Sequence, residues 1–254
     1  MTTRQETNRP GRRELRGPER LEAMILVGGK GTRLRSVVSD RPKPMADVAG
    51  RPFVGWLLSS LRSQGIRRIV LCTGYLGELI EEYLGDGRAW DMDLEYSRDP
   101  FPLGTGGAVR HALPRMRGRR FLVLNGDSYC RFDLSLLTSV HERRNARATL
   151  WLVKAPDCRR YGSVVLDADG KVQSFVEKAS ASAPGWVNAG VYLIDRDAIE
   201  PVANDCPFSL EADVFPALIG KGLYAVAAAG SHLDIGTPES YAAAQEFLGQ
   251  EVQA

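Results

Sequence analysis

The chain has 254 residues, 44% of them hydrophobic and 25% charged, the proportions of a globular protein long enough to bury a sizeable core. Its net charge of +2 excludes recognition of nucleic acid or an acidic membrane surface by bulk electrostatics. No apolar run approaches membrane-spanning length, so the expected partners are small molecules, with no nucleic acid and no membrane.

Residues 1–21 carry Arg4, Arg9, Arg12, Arg13, Arg16 and Arg20 among Glu, Pro and Gly, with no continuous apolar core. They read as a disordered extension rather than a secretory signal. Met24 to Val27 then reads as a buried strand that empties into Gly28-Gly29-Lys30-Gly31-Thr32-Arg33. A strand ending in glycines presents bare backbone N–H groups at the edge where open α/β sheets bind ligands. Thr32 adds a hydroxyl, and Arg33 a guanidinium fork suited to phosphate oxygens. The loop is neither a dinucleotide fingerprint, whose third glycine would fall on Leu34, nor a P-loop, since Gly31 follows Lys30 where Ser or Thr is required.

Farther on, Pro42 and Pro44 bracket Lys43, and the spacing predicts a stiff, extended segment that holds the lysine for a purpose. A helix opens at Pro52 and stops at Gly65, and Arg68 to Thr73 reads as the second strand. Its end, Cys72-Thr73-Gly74-Tyr75, lacks the ribose-binding carboxylate of a nicotinamide-binding domain. Leu76 to Leu84 forms an amphipathic helix and Asp93 to Ser97 a strand. Pro102-Leu103-Gly104-Thr105-Gly106-Gly107 is a second glycine-rich loop, feeding a helix over Ala108 to Met116 and suited to an anion or a flat ligand at its N-terminus. Arg120 to Asn125 is a strand with Asp127 just past its tip, a position open either to a metal ion or to an ordinary turn aspartate.

After a helix over Asp133 to Arg144 the pattern changes. Thr149 to Val153, Gly162 to Leu166 and Lys171 to Glu177 read as strands, the last two joined by a hairpin turn at Asp167 to Gly170. Ser180 to Pro184 reads as a mobile loop before a strand over Val187 to Ile194. Helices over Ala198 to Ala203 and Leu210 to Ile219, strands over Leu223 to Ala228 and Ser231 to Ile235, and a final helix capped by Thr237 complete the chain. Cys72, Cys130, Cys158 and Cys206 are scattered with no CxxC pair, which argues against zinc and for a reducing, cytoplasmic setting.

Leu26 to Leu34 followed by Arg41-Pro42-Lys43-Pro44-Met45 resembles the signature of sugar-1-phosphate nucleotidylyltransferases. Leu124-Asn125-Gly126-Asp127, Tyr161-Gly162, Phe175-Val176-Glu177-Lys178, Asn188 to Tyr192 and Asp234 to Pro238 follow in the same order. Val27 stands where many relatives carry Ala. Pro102 to Gly107, Arg160-Tyr161-Gly162, Phe208 to Glu211 and His232 to Pro238 resemble the heptose 1-phosphate guanylyltransferases within that family.

The resemblance implies an α/β, Rossmann-like three-layer fold of the glycosyltransferase-A type with a mixed, mostly parallel central sheet. It implies one domain over residues 22–250, with a nucleotide-binding half at 22–145 and a sugar-phosphate-binding half at 146–250. It implies attack of a sugar 1-phosphate on the α-phosphate of an NTP, with GTP as the expected nucleotide and Mg²⁺ as cofactor. Arg33, Lys43 and Asp127 would then be catalytic. Val27, Gly28, Gly29, Gly31, Thr32, Arg33, Gly104, Thr105, Gly107 and Asp127 would bind nucleotide. Gly162, Glu177, Lys178 and Asn188 would bind the sugar phosphate, and Asp127 with Asp234 the metal. No general base is required, because a phosphate monoester is largely a dianion at neutral pH; His111 and His141 read as structural or exposed. Other base and sugar pairs, among them mannose 1-phosphate and the uridylyl and thymidylyl reactions, stay open, as do a homo-oligomeric state and a non-catalytic nucleotide-sugar sensor.

Overall fold

The computed structural model describes residues 21–158, 162–177, 183–200 and 207–253. The expected N-terminal extension, Arg160, Tyr161, Lys178, Cys206 and most of the 180–184 loop lie outside these residues. The chain begins with β1 (Glu22–Leu26), a ribbon of β2 (Asp47–Val48) and β3 (Arg51–Pro52), α1 (Phe53–Ser63), β4 (Arg68–Thr73) and α2 (Gly77–Leu84). Then come β5 (Asp93–Arg98), α3 (Gly104–Ala112), β6 (Arg120–Asn125), β7 (Ser128–Cys130) and α4 (Leu134–Arg143). The second half holds β8 (Ala148–Ala155), β9 (Gly162–Leu166), β10 (Val172–Glu177), β11 (Gly185–Asp195), α5 (Phe215–Leu218), β12 (Leu223–Ala228), β13 (His232–Asp234) and α6 (Pro238–Gln253).

Nine strands form one sheet in the order β10-β9-β11-β6-β1-β4-β5, with β8 on β11 and β12 on β8. β1, β4, β5 and β6 run parallel, β11 runs antiparallel to β6, and β12 runs parallel to β8, so the sheet is mixed, as expected. The central strands are apolar on both faces because both faces are covered. Ala23 and Ile25 pack with α1, α2 and α6, whereas Met24 packs with α3 and α5 on the opposite side.

Several boundaries differ from the expectation for identifiable reasons. Lys43 does not lie in an extended stretch: Lys43–Met45 is a single 3₁₀ turn entered from the extended Pro42. Such a turn needs only the Met45→Pro42 and Ala46→Lys43 backbone bonds, so Pro44 loses nothing by lacking a donor. Pro52 is the N-cap of α1 rather than its first residue. The helix expected at Ala108 starts at Gly104, and the glycine run is its first turn. The helix expected over Leu210 to Ile219 divides into a π-turn, Leu210–Val214, and the short α5. Near Ala198 the described residues show a 3₁₀ turn, Arg196–Ala198; the rest of that expected helix lies outside the described residues. The hairpin turn at Asp167 is as read: the Asp167 carboxylate accepts the backbone N–H of Asp169 and Lys171, and Gly170 has φ +77°.

Candidate active site

The loop leaving β1 is built by close backbone approach. A Cβ on Gly28 would lie 3.2 Å from the Gly74 nitrogen, and one on Gly74 2.7 Å from the Gly28 carbonyl oxygen. Gly31 has φ +56°, and a Cβ there would meet that of Lys43 at 2.9 Å. The glycine therefore also makes room for the lysine. Gly29 has nothing within 4 Å of its Cβ position, so its backbone faces open space. A 3₁₀ turn at Thr32–Leu34 buries Leu34 and leaves Thr32 and Arg33 exposed. Val27, Gly29, Gly31, Thr32, Arg33 and Lys43 line one cavity of about 220 Å³.

At the tip of β6 a Cβ on Gly126 would fall 2.4 Å from the Leu26 carbonyl oxygen, so the chain crosses β1 closely before presenting Asp127. The Lys43 ammonium donates to Asp127 Oδ2 at 2.7 Å, and the Ser128 hydroxyl donates to Oδ1 at 3.1 Å. Burial alone would raise the Asp127 carboxyl, but the neighbouring Lys43 charge and these hydrogen bonds hold it below the usual carboxylate value. β7 and β13 pair antiparallel with Asp234 opposite Ser128, and the Ile235 N–H donates to the Asp127 carbonyl at 3.0 Å. This ribbon brings a carboxylate from each half of the chain to one place. Asp234 Oδ1 accepts the Gly236 N–H and the Ser240 hydroxyl. His232 lies on the same ribbon, where burial depresses its imidazole against the opposing pull of Asp234 and Asp127.

Among the described residues no cluster of three or more His, Cys, Asp or Glu is positioned for a metal. Two carboxylates beside an anion-ready loop still fit Mg²⁺, which takes one or two carboxylates and completes its shell with phosphate oxygens and water.

A second cavity of about 340 Å³ adjoins the first and shares Arg33, Lys43, Asp127 and Gly236 with it. Gly162, Asn188, Thr105, Glu211 and Asp234 line it. Asn188 is placed by an irregularity in β11, whose register with β8 breaks between Asn188 and Tyr192. Gly190 makes that break with φ +74°, and the Asn188 Oδ1 accepts its N–H at 3.0 Å. Glu177 pairs with Gly162 across the β10–β9 ladder; Lys178 lies outside the described residues.

Gly104 and Gly107 line neither of these cavities. The anion cradle expected at the start of α3 is filled from within: the Phe208 carbonyl accepts the N–H groups of Gly106 and Gly107 at 3.0 and 3.2 Å. Cβ atoms on Gly104 and Gly106 would lie 2.4 Å from Phe208.

Two residues were given no role by the sequence reading, although Glu211 closes a segment that it singled out. Glu211 stands in the larger cavity and accepts hydrogen bonds from three hydroxyls, those of Thr105, Ser209 and Tyr192. Asp99, just beyond β5, has Oδ1 buried without a hydrogen-bond partner among the described residues and Oδ2 3.4 Å from the Cβ position of Gly28. Burial pushes its carboxyl up to about 6. Asp99 follows β5, one strand beyond β4, whose own end carries no carboxylate.

The site can be set against known proteins. The profile of the Nucleotidyl transferase family matches residues 22–251. A mannose-1-phosphate guanylyltransferase of Mycobacterium tuberculosis is 38% identical over 224 residues, 87% of this chain; the match spans 62% of that longer protein. A D-glycero-alpha-D-manno-heptose 1-phosphate guanylyltransferase of Aneurinibacillus thermoaerophilus is 38% identical over 229 residues, 90% of this chain and 98% of that one. The crystal structure of HddC from Yersinia pseudotuberculosis complexed with GMP-PN superposes with a TM-score of 0.79 at 34% identity, covering 90% of this chain and 99% of that one. With a profile match over nearly all of its length and near-full-length relatives at this identity, the chain belongs to the nucleotidyl transferase family.

Proposed function

We propose that the chain condenses GTP with a sugar 1-phosphate, D-glycero-α-D-manno-heptose 1-phosphate, to give the GDP-sugar and pyrophosphate. A sugar-phosphate oxygen forms a bond to the α-phosphorus, and the bond from that phosphorus to the pyrophosphate oxygen breaks. The observation that carries this reading is the Lys43–Asp127 pair, which stands where the 220 Å³ loop cavity and the 340 Å³ cavity meet. A triphosphate in the first and a sugar phosphate in the second would touch there.

Gly29, Gly31 and Thr32 would hold the triphosphate, with Val27 and Gly28 as the floor of the loop. Arg33 would take the β- and γ-phosphates, whose charge grows as pyrophosphate leaves. Lys43 would leave Asp127 for the attacking or transferring phosphate. Asp127 and Asp234 would hold Mg²⁺, which when bound screens the repulsion between two anionic reactants. Gly162, Glu177, Lys178 and Asn188 would receive the sugar phosphate, and no side chain need take a proton from a dianionic nucleophile.

Asp99 lines neither cavity, but its Oδ2 stands 3.4 Å from the Cβ position of Gly28 in the loop, and it supports guanine as the base. Guanine offers adjacent N1–H and N2–H donors, a match for the two oxygens of one carboxylate, whereas adenine and uracil each interleave donor with acceptor. The 98% coverage of the heptose enzyme supports the heptose, and the 38% identity to the mannose enzyme supports mannose as the second reading.

The test is pyrophosphate release with Mg²⁺, crossing GTP, ATP, UTP, CTP and dTTP with heptose, mannose and glucose 1-phosphates. Release with GTP and the heptose and little with mannose is expected. Release with another sugar or base discards that specificity, and no release with any pair overturns the reaction.

A further inference from the structure

The Tyr192 side chain is fully buried, and its hydroxyl links two residues that line the larger cavity, Asn188 and Glu211. Its hydroxyl accepts from the Asn188 amide nitrogen at 2.7 Å and from that of Asn125 at 3.4 Å, and donates to Glu211 Oε1 at 3.0 Å. The other carboxylate oxygen, Oε2, accepts from Thr105 at 2.6 Å and Ser209 at 2.9 Å. The Thr105 hydroxyl in turn accepts the Leu210 N–H at 2.9 Å. Three donors point at one carboxylate, and none of them can be replaced by an acceptor without leaving a lone pair facing a lone pair.

The polarity of this chain and the Gly190 N–H together set the orientation of Asn188. Because Tyr192 gives its only proton to Glu211, its oxygen must accept from Asn188, and the nitrogen of the amide is turned inward. The Asn188 oxygen is left to the Gly190 N–H and to the cavity. Without the carboxylate the tyrosine hydroxyl is free to donate to Asn188 instead, which would set it against the Gly190 N–H as the group that orients the amide. Thr105, in the first turn of α3, lines the same cavity, so the same carboxylate joins that helix to the wall that carries Asn188.

We propose that Glu211 is a positioning residue: acting through Tyr192, it fixes the Asn188 amide in the orientation that receives the sugar, and through Thr105 it ties that wall to α3. This assignment of the sugar side rests on the reaction proposed above.

Steady-state kinetics with GTP and D-glycero-α-D-manno-heptose 1-phosphate test it, using Glu211→Gln, Tyr192→Phe and the double variant. Each single change should raise KM for the sugar phosphate about tenfold and leave KM for GTP within about twofold. In the double variant the KM should rise no more than about twofold further, because both changes cut one chain. Additive effects, on the order of a hundredfold, would show that Glu211 contacts the sugar itself and would overturn the relay. Equal changes in both KM values would reduce Glu211 to general support.

A second readout is independent of turnover. The side-chain amide signals of Asn188 in the unliganded protein should shift in both single variants, and an unchanged Asn188 amide in Glu211→Gln rejects the proposal. Absence of turnover in the parent protein would overturn the reaction alone, with the amide measurement still deciding the role of Glu211.

Discussion

Lys43 Nζ and Asp127 Oδ2 lie 2.7 Å apart, with the lysine side chain 10% exposed and the carboxylate 44%. The partners are therefore unequal: the cation is held by its surroundings, Gly31 packed against its stem, while the anion remains open to the cavity. Removing the lysine leaves a half-buried carboxylate without its counter-charge and the reacting phosphates without theirs. Lys43→Ala should lower turnover by about 10²–10³, the usual loss for a single electrostatic stabiliser. Lys43→Arg should not restore it, because a planar guanidinium does not reproduce the compact ammonium that stands 2.7 Å from Asp127. The check is kcat for both variants, alongside thermal unfolding to separate loss of chemistry from loss of fold.

Asp99 makes a prediction about pH that can be separated from titration of the phosphates. Its carboxyl is raised to about 6, so it gains a proton as pH falls through that value and can no longer accept two adjacent donors. Inosine triphosphate lacks the 2-amino group of guanine but carries the same triphosphate. The ratio of GTP to ITP affinity should be on the order of tenfold at pH 8 and collapse towards one below pH 6. Asp99→Asn should show the collapsed ratio at every pH. A ratio that is flat in the parent protein would remove Asp99 from base recognition.

Gly106 supplies a stability prediction. A Cβ there would lie 2.4 Å from two ring carbons of Phe208. Phe208 is buried and also capped on α3, so it has no easy retreat. Gly106→Ala should cost about 1–3 kcal/mol and lower Tm by about 2–4 °C for each of them. Gly29→Ala, with open space at its Cβ position, should leave Tm nearly unchanged. Calorimetry on the two variants reads the contrast.

His141 is fully buried, with Nδ1 2.9 Å from the Thr149 hydroxyl and Nε2 3.2 Å from Asp195. Burial, and then the nearby Arg120 charge, depress its imidazole below the ordinary value, overcoming the opposite pull of Asp195. The unfolded chain therefore takes up this proton first as pH falls. Its contribution to stability is intact above about 6.5 and is lost as pH drops from there towards the depressed folded value, at a slope of up to about 1.4 kcal/mol per pH unit. His141→Gln should remove that part of the slope. Denaturant unfolding between pH 8 and pH 5 measures it.

Much of the frame was legible in the residues themselves. β4, β6, β9 and β12 fall where apolar runs bounded by turn residues place them. Asp127 stood out past the tip of β6, and Asp234 was named through the family resemblance, but only the β7–β13 register explains how carboxylates more than a hundred residues apart come to share a cavity. What escaped has a common physical cause. Glycine permits close approach without saying what approaches, so Gly104 to Gly107 read as room for an anion when the structure fills that room with Phe208. Glu211 sits in a π-turn that reads as the start of a helix, a pattern that does not tell which side chain enters a cavity, and Asp99 draws its character from burial that no local pattern reveals.

β11 changes neighbours along its length, pairing with β9 through Trp186 and Val187 and with β6 from Val191 to Asp195. A chain cut between residues 145 and 146 would strip β6 of that partner. The remaining piece would end in a row of unpaired backbone groups on an apolar strand, an invitation to self-association. The two halves of the molecule thus share a seam rather than a linker. A change of sugar preference by exchange of parts should preserve β11 whole and replace only the segments that stand on it.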